Sequence, residues 1–312
     1  MKKKLLSMIL SVSMCLSICG GVSAAAVDIE DMRSRAIDVL VASGWNEEEI
    51  EDLIPEDALL EYADALPAVA SQEIYVKVGV DDNGETFVEE MSPSECIAEA
   101  AEVKQQRDVA VQQQLLGVST LADKDEVTTD DGYMVYYVQA LPSASDSDVY
   151  ILSARYEWLV EPSDRDIDVF GLGHSSQLDQ LGSSSDVYYR YKADVYMVTA
   201  GQRYLAEYYE VEEPTGINVD NGGTVVKQDL YDNTSGMGYV VKAENHRGYI
   251  QYQAEVNSTT ATRVSVYAEY LHQEAFFSVS PSISYPLGAS ISVSDEDKFV
   301  RLSPNPYLSF NV

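Results

Sequence analysis

The groups in this 312-residue chain that could do chemistry are few in kind. His174 sits in the stretch GLGHSSQL, beside Ser175 and behind Gly171 and Gly173; His246 sits in ENHRG, and His272 closes YAEYLH. A histidine next to a serine could serve acyl transfer, but the base and nucleophile of such sites are assembled in space and rarely adjoin along the chain. A glycine-rich neighbourhood reads instead as a turn at a strand end. Three histidines without ligand spacing make a poor zinc site. The sequence contains no G-x-S-x-G, H-E-x-x-H, C-x-x-C or phosphate-binding glycine loop, so no catalytic residue is assigned.

Carboxylates are the commonest reactive group, with 52 Asp and Glu against 20 Lys and Arg. Glycoside hydrolysis needs two of them at a defined separation in space, which spacing along the chain does not reveal. Acidic loops such as SASDSD, with Asp146 and Asp148, offer oxygen ligands suited to calcium, although none follows the EF-hand pattern. Asp146 and Asp148 are therefore the candidate metal ligands, against the alternative of a solvated acidic turn, and no other cofactor is expected. Cys96 falls just inside a helix start, where the dipole favours a thiolate, but Glu95 and Glu99 oppose it, so it reads as a small hydrophobe in a core.

Tyrosine supplies 22 residues against six Phe and two Trp. It suits strands, and it also suits recognition surfaces. The pairs Tyr136-Tyr137, Tyr188-Tyr189 and Tyr208-Tyr209 must put one ring on each face of a strand. Tyr137, Tyr188 and Tyr209 are read as the rings outside the core and are the candidate binding residues.

These groups need elements to hold them. Residues 27–118 read as a mostly helical region with one β-hairpin. DMRSRAIDVLVASG has apolar residues at helical spacing and ends on Gly44, and Asn46 with Glu49 forms a capping box for the next helix. Pro55 then interrupts. Val76, Val78 and Val80 alternate ahead of Asn83-Gly84, a hairpin turn. Ser92, Pro93 and Glu95 start a helix of about six turns with a thin apolar stripe of Ile97, Ala100, Val103, Ala110, Val111 and Leu115. Residues 119–132 are acidic and aperiodic and read as a linker.

From Tyr133 to Val312 the pattern is that of strands. The even positions of VYILSARYEWLV and the odd positions of VYYRYKADVYMV are apolar. Ten to twelve strands with turns between them imply an antiparallel β-sandwich or barrel-like sandwich. In GYIQYQAEVNSTTATRVSVYAEYLH, Ile250, Tyr252, Val264 and Val266 share one parity and should face a core. Read as a hairpin, the segment pairs Ala254 with Val264 and Tyr252 with Val266, apolar against apolar.

Residues 1–26 have the three parts of a secretory signal: Lys2–Lys4, an apolar run from Leu5 to Ile18, and small residues around Ala24. The mature chain is expected to begin between Ala25 and Asp28, which N-terminal sequencing of secreted material would show. Three lysines would leave and no acid would, taking the net charge from −32 to −35. Such a surface repels nucleic acid. No integral membrane segment is expected in the mature chain, and with one remaining cysteine it forms no internal disulfide. In organisation the chain resembles secreted proteins of Gram-positive bacteria. The expectation is a non-enzymatic protein, freely secreted or held at the cell surface, that binds a protein or a glycan or plays a structural part. A secreted hydrolase with carboxylate chemistry and a β-pore-forming protein are the rivals.

Overall fold

The computed structural model describes residues 29–81, 85–116, 132–161, 167–200, 202–236, 238–273, 283–284, 291–293 and 299–312. Residues 1–26, the acidic stretch 119–131, Asn83-Gly84 and most of 274–298 lie outside them. The chain is mainly β, an antiparallel sandwich preceded by a short helical segment.

The first helices follow their capping signals. Helix α1 (Ile29–Ala42) buries Ala36 and Leu40 and ends at Gly44, whose φ of +99° is the left-handed conformation that glycine adopts without strain. Helix α2 (Glu47–Leu53) has the full capping box, with the Glu49 amide donating 2.8 Å to the Asn46 side chain. Helix α3 (Glu56–Glu61) follows Pro55. Strands β1 (Ala70–Val80) and β2 (Thr86–Met91) form the expected hairpin, and helix α4 (Pro93–Leu115) starts at Ser92.

Strand β1 then pairs with β3 (Gly132–Pro142) over nine residue pairs, so the hairpin read with the helices is part of the sandwich. Beyond β3 come β4 (Val149–Val160), β5 (Ile167–His174), β6 (Leu178–Gln180), β7 (Tyr188–Thr199) and β8 (Gln202–Val211). Strands β9 (Gly216–Asp220), β10 (Gly223–Asp229), β11 (Thr234–Gly236), β12 (Tyr239–Val256) and β13 (Arg263–Gln273) follow. The end of the chain adds β14 (Ile283–Ser284), β15 (Ser292–Val293), β16 (Phe299–Arg301) and β17 (Tyr307–Asn311). The large sheet runs β2-β1-β3-β4-β12-β7-β8, with β6 and β11 also on β12; the smaller runs β16-β13-β5-β10-β9, with β17 also on β13. There are more strands than the ten to twelve expected because pieces of two or three residues such as β6, β11 and β16 are too short to show alternation.

The expected hairpin between residues 250 and 266 is corrected. Strand β12 pairs with β4 and β7 in the large sheet, and β13 with β5, β16 and β17 in the small one. Ala254 therefore faces Tyr150 across its ladder, not Val264. Parity fixes which face is apolar but not whether two such faces meet edge to edge or across a core. Ile250, Tyr252, Val264 and Val266 all join one core between the sheets, each no more than 1 % exposed.

Much of the tyrosine excess goes into that core, including Tyr136, Tyr156, Tyr189, Tyr191 and Tyr270. Burying a phenol requires a partner for its hydroxyl, and each sheet supplies partners to the other. Tyr252 donates to the Leu172 carbonyl at 3.0 Å, Tyr136 to that of Leu302 at 3.0 Å, and Tyr189 to Gln228 at 2.9 Å.

The outer face of the large sheet is covered too. Helices α1–α3 pack over Tyr137, Leu141, Ile151 and Tyr249, and α4 lays Cys96 and Ala100 on Tyr133 and Val160. The expected stripe on α4 is thus turned: Ile97 is exposed and Cys96 is buried. Burial, with Glu99 adding, pushes the Cys96 thiol up to about 11, which suits an inert packing role.

This pairing has a consequence for proteolysis. A single cut between residues 117 and 131 should not release a sandwich fragment beginning near Tyr133. The N-terminal piece is held by the β1–β3 ladder and the helix layer, so the nicked halves should co-elute under native conditions and separate only in denaturant.

Candidate functional site

An irregularity in β12 builds a polar cleft on the outer face. Asn245 and His246 stand opposite Ala193 alone, because the β7–β12 register shifts between Glu244 and Arg247. Such a bulge carries one more residue than its partner strand. Asn245 takes a φ of +54°, a conformation Asn tolerates better than most side chains. Regular alternation would send neighbours to opposite faces; the bulge instead sends Glu244, Asn245 and Arg247 all outward, while His246 points into the core.

Two ion-pair networks grow from this point. Arg247 donates to both carboxylate oxygens of Asp52 on α2, at 3.1 Å for the Nη2 contact, and to Asp194 on β7 at 2.9 Å. Lys192 reaches Asp52 at 2.7 Å. On the other side Glu244 meets Lys242 at 2.9 Å, Arg203 at 2.8 Å and Lys104 of α4 at 3.3 Å. The Asn245 amide lies between them, accepting from Lys104 at 2.8 Å and donating to Asp194 at 2.6 Å. Burial raises the Asp52 carboxyl, but hydrogen bonds and charge from Arg247 and Lys192 outweigh it and hold it below its ordinary value. Burial likewise opposes ionisation of Glu244, yet Lys242, Lys104 and Arg203 draw it down to about 2.

Between α2 and the sheet lies a cleft of about 430 Å³. Asn46, Glu48 and Asp52 form its helical wall; Glu157, Lys192, Asp194 and Arg247 form its floor, and the exposed ring of Tyr208 stands at its mouth. Among the described residues Glu157 is the half-buried floor carboxylate that makes no hydrogen bond or ion pair. Burial pushes its carboxyl above the ordinary value, with Arg247 and Arg155 only partly opposing.

A raised acid stabilises the fold while protonated, and that stability is lost as pH rises through its folded-state value. Glu157→Gln should therefore raise stability by about 1 kcal/mol at pH 7, a gain typical of relieving a strained functional position. The gain should vanish toward pH 4, where the native carboxyl is itself protonated; paired thermal melts would show it.

The structure places the sequence-derived candidates elsewhere. Tyr137 is buried under the helices, with its ring at 6.2 Å from that of Trp45. Tyr188 is half-buried there and donates to Glu61 at 3.1 Å. Tyr209 turns inward against Tyr191 and Tyr231. The expectation that these three rings lie outside packed regions is corrected: helices cover the face on which Tyr137 and Tyr188 lie, and a register shift in β8 turns Tyr209 into the core between the sheets, leaving Tyr208 as the partner that reaches solvent. Asp146 and Asp148 are exposed in the β3–β4 turn, where Asp146 accepts from the Asp148 amide at 3.1 Å. Among the described residues no three His, Cys, Asp or Glu converge to hold a metal.

The histidines are buried struts. His174 bonds the Ser175 carbonyl at 3.1 Å, and burial lowers its pKa. His246 meets the Tyr191 hydroxyl at 2.6 Å and His272 meets Asp168 at 2.8 Å. Asp52, Lys192, Asp194 and Arg247 were missed by sequence reasoning because they come from three distant elements. The local signal was Asn-His-Arg-Gly inside an otherwise alternating strand.

No described helix is long and apolar enough to cross a membrane. No protein-family model matches the chain, and no curated protein matches its sequence.

Proposed function

We propose that the protein is secreted and acts by binding rather than catalysis, taking a glycan into the cleft between α2 and the large sheet. One observation carries this: the floor carboxylate of Glu157 keeps its hydrogen-bonding capacity unspent, beside a rigid ion-paired frame and under an exposed tyrosine. Drug-like pockets are mostly apolar, whereas this cleft offers carboxylates, an amide and a guanidinium. Sugar hydroxyls can donate to Glu157, and the C–H face of a sugar ring can pack on Tyr208. The net charge of −32 disfavours polyanionic ligands. The tripartite pattern of residues 1–26 supports secretion.

A second reading has its own support. Glu157 is raised while Asp52 is held low, and carboxyls pushed apart in this way can divide acid and base roles. A secreted glycan hydrolase would use them so. The pore-forming alternative has less support, since β12 and β13 are flanked by partners in two different sheets and cannot leave together as one hairpin.

Electrophoresis of the protein through native gels containing soluble β-glucan, xylan or mannan tests the proposal. Retardation by at least one polymer is expected, lost in Glu157→Gln, with no reducing ends released. Release of reducing ends that depends on Glu157 would favour the hydrolase, and free migration in every gel would count against both.

A further inference from the structure

We infer that two copies of the chain join through strand β8, edge to edge and antiparallel, making one continuous sheet across a two-fold axis. Among the described residues β8 pairs with β7 alone and ends the large sheet. Its free edge is apolar for an exposed strand: Tyr204 is 48 % exposed, Leu205 38 % and Tyr208 60 %. Exposed strand edges are templates for pairing.

The occupant is set by the register of β8 against β7. Glu207 faces Val195 and Leu205 faces Tyr196, so Ala206 is an extra residue, a bulge in the middle of the strand. The bulge reverses the alternation halfway. Arg203 and Leu205 before it, and Tyr208 and Glu210 after it, share the outer face, because their β7 partners Val198, Tyr196, Asp194 and Lys192 all have the same parity. Tyr204 and Tyr209 share the inner face, opposite Met197 and Ala193.

Antiparallel partners must lie on the same face. In a regular strand paired with its own copy, this forces partners of equal parity. With one bulge it forces partners of opposite parity, and the register that uses all of β8, Gln202 against Val211, meets that condition throughout. It sets Arg203 against Glu210, Leu205 against Tyr208 and Tyr204 against Tyr209. Opposite charges thus meet twice across the axis, and apolar residues meet apolar ones. Sliding the copy by one residue sets Glu207 against itself or leaves Arg203 opposite Tyr209. A bulge ordinarily blunts an edge against regular strands; a copy with the same bulge matches it. Arg203 also holds Asp108 and Glu244, and Glu210 also holds Arg190, so the new pair would join networks already fixed in place.

Sedimentation equilibrium of the secreted chain, with cross-linking of chains carrying Leu205→Cys and Tyr208→Cys separately, tests this. The expected mass is twice that of one chain at micromolar concentration. Oxidation should give covalent dimers when the two variants are mixed and little with either alone, since like positions are about three residues apart along the ladder, beyond the Cα separation a disulfide spans. Deleting Ala206, which restores regular alternation, should return the protein to a monomer with an unchanged β-sheet circular dichroism spectrum. A monomer at all concentrations would overturn the inference. So would a dimer that the mixed variants fail to cross-link, or one that survives deletion of Ala206.

Discussion

Val266→Asp should leave little or no folded protein at 25 °C. Val266 is fully buried between the sheets, opposite His174 on one side of its strand and Leu308 on the other. The titratable neighbour across the ladder is His174, whose burial disfavours its charged form, and burying a carboxylate unpaired costs several kcal/mol, about 5 kcal/mol or more, comparable to the whole stability of an ordinary domain. Gln253→Ala and Glu255→Ala, on the other face of β12, should each shift stability by about 0.5 kcal/mol or less. Denaturant melts of the three variants check this. A native midpoint for Val266→Asp would mean that β13 does not face a core.

The second large effect is expected at Arg247. It ties α2 to the sheet through Asp52 and to β7 through Asp194, and it is 8 % exposed. Arg247→Ala would strand two partly buried carboxylates, with only Lys192 left for Asp52. Breaking one side of a buried pair costs about 3 to 5 kcal/mol, reduced here because Asp52 keeps Lys192 and some solvent. About 3 kcal/mol is therefore expected, with Arg247→Lys recovering part of it, since lysine keeps the charge but not the paired donors.

The variant should also change the shape of the pH dependence. In the native protein Asp52 and Glu244 are held low, so their contribution is present above the ordinary carboxylate range and lost as pH falls through their folded-state values. For Glu244 that window runs from 4.5 down to about 2. In Arg247→Ala the Asp52 share shrinks to what Lys192 sustains, while the Glu244 share stays. Its acid limb should be shallower than that of the native protein, but not flat.

What the sequence disclosed follows from which interactions are local. The caps at Asn46 and Ser92, the turn at Gly44 and the apolar parity of β4, β7, β12 and β13 depend on neighbours a few residues away, and each is present in the fold. Partner choice is not local. The same parity in β12 and β13 serves a hairpin or two facing sheets, and only the long-range pairings β4–β12 and β5–β13 decide between them. The outer face misled for a related reason. Gln139, Ser153 and Gln251 lie at polar positions on the face opposite the apolar parity of β3, β4 and β12, yet all three are fully buried under the helices. There Gln139 donates to Ser153 at 2.9 Å, and Gln251 to Glu61 at 2.8 Å. Their being uncharged, in a chain with 52 acids, was the available clue.

The cleft was less legible still. Asp52 and Arg247 are 195 residues apart, and nothing in the chain links them. Asn245 breaks the alternation of β12, but an Asn-His-Arg-Gly stretch reads equally well as a turn. Only the paired register of β7 shows that it is a bulge that turns polar neighbours to one side.

The functional reading rests on a floor carboxylate whose bonding capacity is unspent. Carbon-detected nuclear magnetic resonance of the Glu157 carboxyl, followed through a pH titration of the ligand-free protein, tests that most directly. A midpoint clearly above the ordinary glutamate value of 4.5 is expected, because burial acts on it without a bonded partner. A midpoint at or below 4.5 would mean that Arg155 or Arg247 already holds the group, and the cleft would then have no free acceptor to offer a ligand.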